Sequence, residues 1–226
     1  YTTVQAAHDA ANNNDTILIE GSPVTYGENF KCTKKLVIKG PGYFLDENPG
    51  ISANKHAAQL GGQWEFNSGS SGSLLMGIVH AYMIVINVND FTVRRSNLQY
   101  MPINQGMQNI KVSECYFKET PQYESIASNL VTNLAVTNCL IKGSVWLMPG
   151  STGTFVNNIF TAANITIPTG FVMKNNIIFT TEKTSISLPA LDAAVSYNMS
   201  ISDHFGTANN NKANVSATAL FVGTAT

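Results

Sequence analysis

Six segments of this chain fall into register with one another: residues 91–98, 110–117, 134–141, 153–160, 171–178 and 193–200. The third residue of each is apolar (Val93, Val112, Val136, Phe155, Met173, Val195), and successive members lie 19, 24, 19, 18 and 22 residues apart. Three positions further on stand Ser96, Cys115, Cys139, Asn158, Asn176 and Asn198. Two beyond those are Leu98, Phe117, Ile141, Phe160 and Ile178, with the pattern lapsing at Ser200. A repeat of this length either stacks or fails to fold, because one unit cannot bury its own apolar face.

The period inside each unit is two, not 3.6, so the units are made of strands. A second series precedes them: Trp146-Leu-Met-Pro149, Ile165-Thr-Ile-Pro168 and Ile186-Ser-Leu-Pro189, each an apolar alternation ending in proline, with Ile84-Val-Ile86 and Met101-Pro-Ile103 as looser members. Proline cannot donate to a ladder and sits well just past a strand. Each coil then carries at least two short strands and two turns, pairs in parallel with the next about 4.8 Å away, and puts length variation into its turns. The 25 asparagines, against 14 carboxylates, fit a chain rich in turns and side-chain ladders. The reading is an all-β parallel β-solenoid.

The pattern extends backwards. Ile17-Leu-Ile-Glu-Gly21 and Leu36-Val-Ile-Lys-Gly40 repeat one motif at 19 residues' spacing. Upstream, Val4, Ala7 and Ala11 fall on one helical face after Thr2 or Thr3 as N-cap, which predicts a short capping helix within residues 1–14. Residues 43–73 read as a long loop excursion with one ragged coil near Trp64 to Phe66. Residues 203–226 read as a C-terminal cap, with 219–222 as a final strand or cap. One domain over 1–226 suits this length. Residues 74–88, the most apolar stretch, are too short for a membrane span and read as two consecutive strands. No secretory signal stands at Tyr1, which suggests a mature or trimmed form.

Tyr1-Thr-Thr-Val-Gln-Ala-Ala-His-Asp-Ala-Ala11, Asp15-Thr-Ile-Leu-Ile-Glu-Gly21 and Leu36-Val-Ile-Lys-Gly40 resemble the opening of right-handed parallel β-helix proteins of the pectin-lyase-like superfamily, pectin methylesterases in particular. The later apolar-x-apolar-x-Asn-Asn-x-apolar units, and the tail from Asn209 to Val222, resemble uncharacterised secreted bacterial β-helix proteins. The resemblance covers nearly the whole chain. It implies right-handed winding and a secreted or outer-surface bacterial location, but a fold does not fix an activity.

Three chemistries of that superfamily were sought among the residues. The paired Asp and Gln-Asp motif of methylesterases has no counterpart. The close carboxylates that glycoside hydrolysis needs are missing, since there is no Asp-Asp and the acids are scattered. No stacked acidic ladder offers the many oxygen ligands that Ca²⁺ requires beside a basic residue. The three cysteines form no CxxC and have no His at ligand spacing, which disfavours a metal. No cofactor is expected, and the four histidines are too dispersed for a catalytic role. A net charge of −1 excludes an electrostatic footprint for nucleic acid or an anionic membrane.

What remains is a charged cluster, Asp90, Arg94, Arg95, Lys111 and Glu114. Arg95 and Glu114 occupy one position in neighbouring coils, and no other arginines exist. It reads either as a grip for an acidic sugar or a partner's carboxylate, or as an ion pair of small energetic weight. Among aromatics, phase with Met148 points Trp146 inward and phase with Phe66 points Trp64 inward. Tyr100, Tyr116 and Tyr123 are the candidates for exposure, Tyr123 joining the candidate ligand site. Cys115 and Cys139 stack in register as buried free thiols, and Asn158, Asn176 and Asn198 form an internal amide ladder. Of the sequons at Asn164, Asn198 and Asn214, the middle one coincides with that ladder. The expected function is a non-catalytic scaffold or a polysaccharide- or protein-binding module, acting alone or as part of a longer chain or complex. The competing expectation is a polysaccharide lyase or glycoside hydrolase with an unfamiliar site.

Overall fold

Val112 lies between Val93 and Val136 in a parallel sheet, one coil from each. The computed structural model in which this pairing is seen describes residues 1–48, 50, 53–119, 124–161, 164–180, 186–190 and 192–220. The column runs unbroken through Ile17, Ile38, Leu75, Val93, Val112, Val136, Phe155, Met173 and Val195, all buried. These side chains belong to sheet A, of nine strands. Sheets B and C, of eight strands each, complete the coils, which make about eight turns of a parallel β-solenoid among the described residues. Strands are two to four residues long, and alternate residues point into one continuous core.

The first elements are helix α1 (Val4–Ala10) and strands β1 (Thr16–Leu18), β2 (Phe30–Cys32) and β3 (Val37–Lys39). The helix forms where expected: the Thr3 side chain accepts from the Ala6 N–H, and Val4 and His8 face inward. Its last turn is closed by Lys34, whose Nζ donates to the carbonyls of His8, Asp9 and Ala11, each at 2.8 Å. A cation at this end meets the negative pole of the helix. The region 43–73 contains β4 (Ala58–Leu60) in sheet B and β5 (Gln63–Phe66) in sheet C. Phe30 and Phe66 pack there against Trp64 and Phe91, and Trp64 is buried as its phase required.

Residues 74–88 correct the two-strand expectation. They hold three strands, β6 (Leu74–Met76), β7 (Ile78–His80) and β8 (Met83–Ile86), one in each sheet, and so make a complete coil. Gly77, at φ 70°, turns the corner between β6 and β7. Because both sides of this corner are apolar, hydropathy alone shows no break.

Every later coil turns the same corner through a left-handed residue: Arg95, Glu114, Asn138, Asn157, Asn175 and Tyr197. Asparagine tolerates this conformation best among residues bearing a Cβ. The next residue points inward, and from Asn158 onward it is an asparagine. Nδ2 of Asn158 donates to Oδ1 of Asn176, Asn176 to Asn198, and Asn198 to Asn211, at 3.0, 2.9 and 3.1 Å. Each Nδ2 also donates to a backbone carbonyl (Val136, Phe155, Met173 and Val195 in turn). Each Oδ1 accepts the backbone N–H of the preceding rung, beginning with Cys139 to Asn158. The expected ladder of three therefore has a fourth member, Asn211, supplied by the C-terminal cap. That cap pairs on the last coil through Tyr197 to Asn209 and Ser200 to Lys212. The chain is helical at Ala217–Leu220, where a final strand or cap was expected to begin, and residues 221–226 lie outside the described ones.

Cys115 and Cys139 occupy the ladder position in earlier coils. All three cysteines are free and buried. The Cys115 N–H donates to Cys139 Sγ at 3.4 Å, and burial pushes the Cys115 thiol well up from its ordinary range. Burial likewise pushes the Cys32 thiol up to about 11.

The ladder makes a direct prediction. Asn176→Leu strands the Asn158 donors and the Phe155 carbonyl together, so it should cost more than about 3 kcal/mol in urea unfolding. Asn157→Ala, one residue away on the exposed side of the same corner, should cost under about 1 kcal/mol, because both residues carry a Cβ and only asparagine's tolerance of the left-handed region and its exposed bond to Asn138 are lost.

Candidate functional site

The solenoid exposes three places where polar or aromatic side chains gather. The first is the corner between sheets A and B at Arg95. Its guanidinium Nε donates to Glu114 Oε2 at 2.6 Å, and Nη2 of Arg94 lies 3.5 Å from Oε1 of the same carboxylate. The arginines hold the Glu114 carboxyl below its ordinary range, with the Arg95 hydrogen bond the largest cause. The pair is well exposed, at 57% for the Arg95 side chain and 40% for Glu114, so solvent screens it.

Asp90 and Lys111 do not join this corner. Asp90 sits in the turn leading into the strand, where Oδ1 accepts from Asn109 Nδ2. About 16 Å of extended chain separates it from Arg95, five residues at roughly 3.3 Å each. Lys111 pairs with Thr92 at that leading end, and no ion pair links Asp90 to Lys111 among the described residues. Tyr123 lies outside the described residues.

Two aromatics that sequence reasoning did not place reach the corner from the 43–73 region. The Tyr43 hydroxyl donates to the Glu114 carbonyl at 3.2 Å, and the Phe44 ring lies 5.3 Å from Tyr116. Lys142 Nζ stands 5.6 Å from the centroid of the Tyr116 ring. No local signal announces a contact across 71 residues. Tyr100 and Tyr116 are half-buried rather than fully exposed.

The second place is the outer face of sheet C, where Trp146 corrects the inward expectation. Trp146 is 41% exposed and Met148 38%. The register is the reason: Val145, not Trp146, pairs with Ile165, and Trp146 pairs with Thr166. Aligning the units on their prolines had shifted this strand by one residue, which exchanges its two faces. In preceding coils the row of Trp146 continues through Ala127, Pro102 and Val85, and ends its apolar run at Glu65. Beside that row runs an amide series, with Asn104 Nδ2 donating to Asn87 Oδ1 and Asn87 Nδ2 to Asn67 Oδ1. Asn67 and Gln63 each donate to the Glu65 carboxylate. The face therefore pairs a flat apolar strip with a polar border.

The third place is at α1. Asp9 Oδ1 lies 2.8 Å from His8 Nδ1, and His8 Nε2 accepts the Thr33 N–H at 3.0 Å. The arrangement resembles an acid–base relay, but the Nε2 lone pair is used by the backbone and the ring packs edge-on to Phe30 at 5.6 Å. Its role is to fasten the helix. Among the described residues no three His, Cys, Asp or Glu side chains gather to hold a metal, and no helix is long and apolar enough to cross a membrane.

His80 is buried in register with Leu60 and edge-on to Trp64 at 5.5 Å. Its Nδ1 accepts the Tyr82 N–H, and burial pushes its pKa down to about 3. Comparison of the chain with family models, curated proteins and solved structures returned no match.

Two measurements follow from these environments. The unfolded chain binds a proton at His80 near pH 6.5 that the folded chain refuses until about pH 3, so His80 lowers stability as pH falls through that window. His80→Leu should lose less unfolding free energy between pH 7 and pH 4 than the parent. The Arg95–Glu114 pair has the opposite origin: its contribution is present above the ordinary carboxylate range and is lost as pH falls through the lowered value. Arg95→Ala should cost under about 1 kcal/mol at neutral pH, and the difference from the parent should shrink in acid.

Proposed function

We propose that this chain is a non-catalytic binding module, secreted or displayed at a cell surface, that holds an extended polysaccharide along the outer face of sheet C. The observation carrying the proposal is the exposed Trp146, set at the end of an apolar row whose far coils, two and more turns away, are bordered by the Asn67–Asn87–Asn104 amides. A pyranose presents C–H groups on its faces and hydroxyls at its rim. The negative face of an indole attracts the former, and amide side chains both donate to and accept from the latter. Coils repeating every 4.8 Å or so offer such contacts as a series, which suits a polymer better than a single small ligand. The resemblance of residues 1–40 to the pectin-lyase-like superfamily, with its right-handed winding and bacterial secretion, belongs to this proposal and favours a glycan over a protein partner.

The arginine corner is the competing place for an acidic sugar, but Arg95 is already engaged by Glu114. Affinity electrophoresis against a panel of acidic and neutral polysaccharides separates the two. Trp146→Ala should weaken retention by the bound glycan at least about tenfold, as loss of an aromatic anchor does, with the melting temperature unchanged. Arg95→Ala should leave retention as it was. Retention that survives Trp146→Ala, or release of reducing ends or unsaturated products from any member of the panel, overturns the reading.

A further inference from the structure

Charge is spread unevenly over the three sheets. Sheet A turns cations outward at Lys39, Arg94, Lys111 and Lys174. Beside sheet B, Lys118 and Lys142 follow directly on their strands and are exposed. Sheet C differs. Its six strands from Met83–Ile86 to Ile186–Ser187 carry no charged side chain, and neither do the residues flanking them. At about 4.8 Å per coil the uncharged stretch runs about 24 Å. What it turns outward is apolar, amide or hydroxyl. Trp146 pairs with Thr166, and Thr166 with Ser187. The exposed Asn129 and Asn164 stand in the coils on either side of Trp146. The charges of the described sheet C strands are Lys31 and Glu65, which pair in register in the first coils. The Glu65 carboxylate accepts from Gln63 and Asn67.

Resting on the sheet C reading above, we propose that the polymer held there is a neutral polysaccharide, and that polyuronates and other anionic chains are refused. A polyuronate carries a carboxylate on every sugar. Laid along this face, those anions would leave water for a surface without a cation to pair them. The indole face of Trp146 is itself negative and draws C–H groups, not anions. Amides and hydroxyls both donate and accept, as a sugar hydroxyl does, whereas a carboxylate only accepts. A mismatch of charge suppresses wrong partners more than it strengthens right ones. The chain has cations to spend, and its fold spends them on the other two sheets.

The test is affinity electrophoresis in gels cast with polymers that differ in charge on one backbone: hydroxyethyl cellulose against carboxymethyl cellulose, and carboxyl-reduced polygalacturonate against its parent. In each pair that retains the chain, the neutral member should retain it at least about tenfold more strongly. That retention should hold as salt rises from about 0.05 to 0.5 M, and Trp146→Ala should remove it. Thr166→Lys sets a cation beside the indole. It should raise retention by the anionic member about threefold, and added salt should erase the gain. Equal or stronger retention by the anionic member, lost in Trp146→Ala, overturns the neutral class while leaving sheet C as the site. Retention untouched by Trp146→Ala, or none by any of the four polymers, overturns the sheet C reading and this class with it.

Discussion

Register between coils is what every other property of this molecule depends on. A parallel ladder of two- to four-residue strands is weakly specified by its backbone alone, because a slip by one residue still makes hydrogen bonds while exchanging core and surface. The corner between sheets A and B prevents the slip. One left-handed residue turns the chain, and the next places an amide where it bonds to the rung above, the rung below and a carbonyl between them. A displaced coil would bury those donors and acceptors without partners, a cost of about 1 to 3 kcal/mol for each. In the coils that carry an amide the core column then follows, since Phe155, Met173 and Val195 have one place to go.

The same device explains what the sequence made legible. Apolar columns, the amide ladder, the inward Trp64 and the capping helix were readable because each is written in spacing or in a local cap. The three-strand coil at 74–88 was not, because its corner is a glycine between two apolar strands and offers no change of polarity. Trp146 was misplaced for a related reason: proline marks the end of a strand but not its length, so aligning on Pro149 and Pro168 gave a register one residue off. The candidate corner was half legible. Arg95 and Glu114 share a rung and meet, whereas Asp90 and Lys111 are near in sequence and far along the strand. Tyr43 and Phe44 arrive from a segment whose path no periodicity describes.

The outer surface follows from the inner one. Once register is set, every outward residue becomes part of a row that runs along the axis, and composition decides what each row offers. On sheet C the row from Val85 to Trp146 is apolar and flat, and its border is amide. At the sheet A corner the rows carry charges that satisfy one another.

The two halves of the column are fastened by different chemistry. Toward the C-terminus, consecutive amides tie rung to rung. Toward the N-terminus the equivalent positions are Ser96, Cys115 and Cys139, and the neighbouring interior is filled by Phe30, Trp64, Phe66 and Phe91. Apolar burial weakens on cooling, whereas amide bonds do not share that dependence. Both halves lose apolar driving force on chilling, since Phe155, Phe160 and Phe171 fill the C-terminal interior as well, but only that half keeps its coils tied by amides, so the N-terminal half should slacken more.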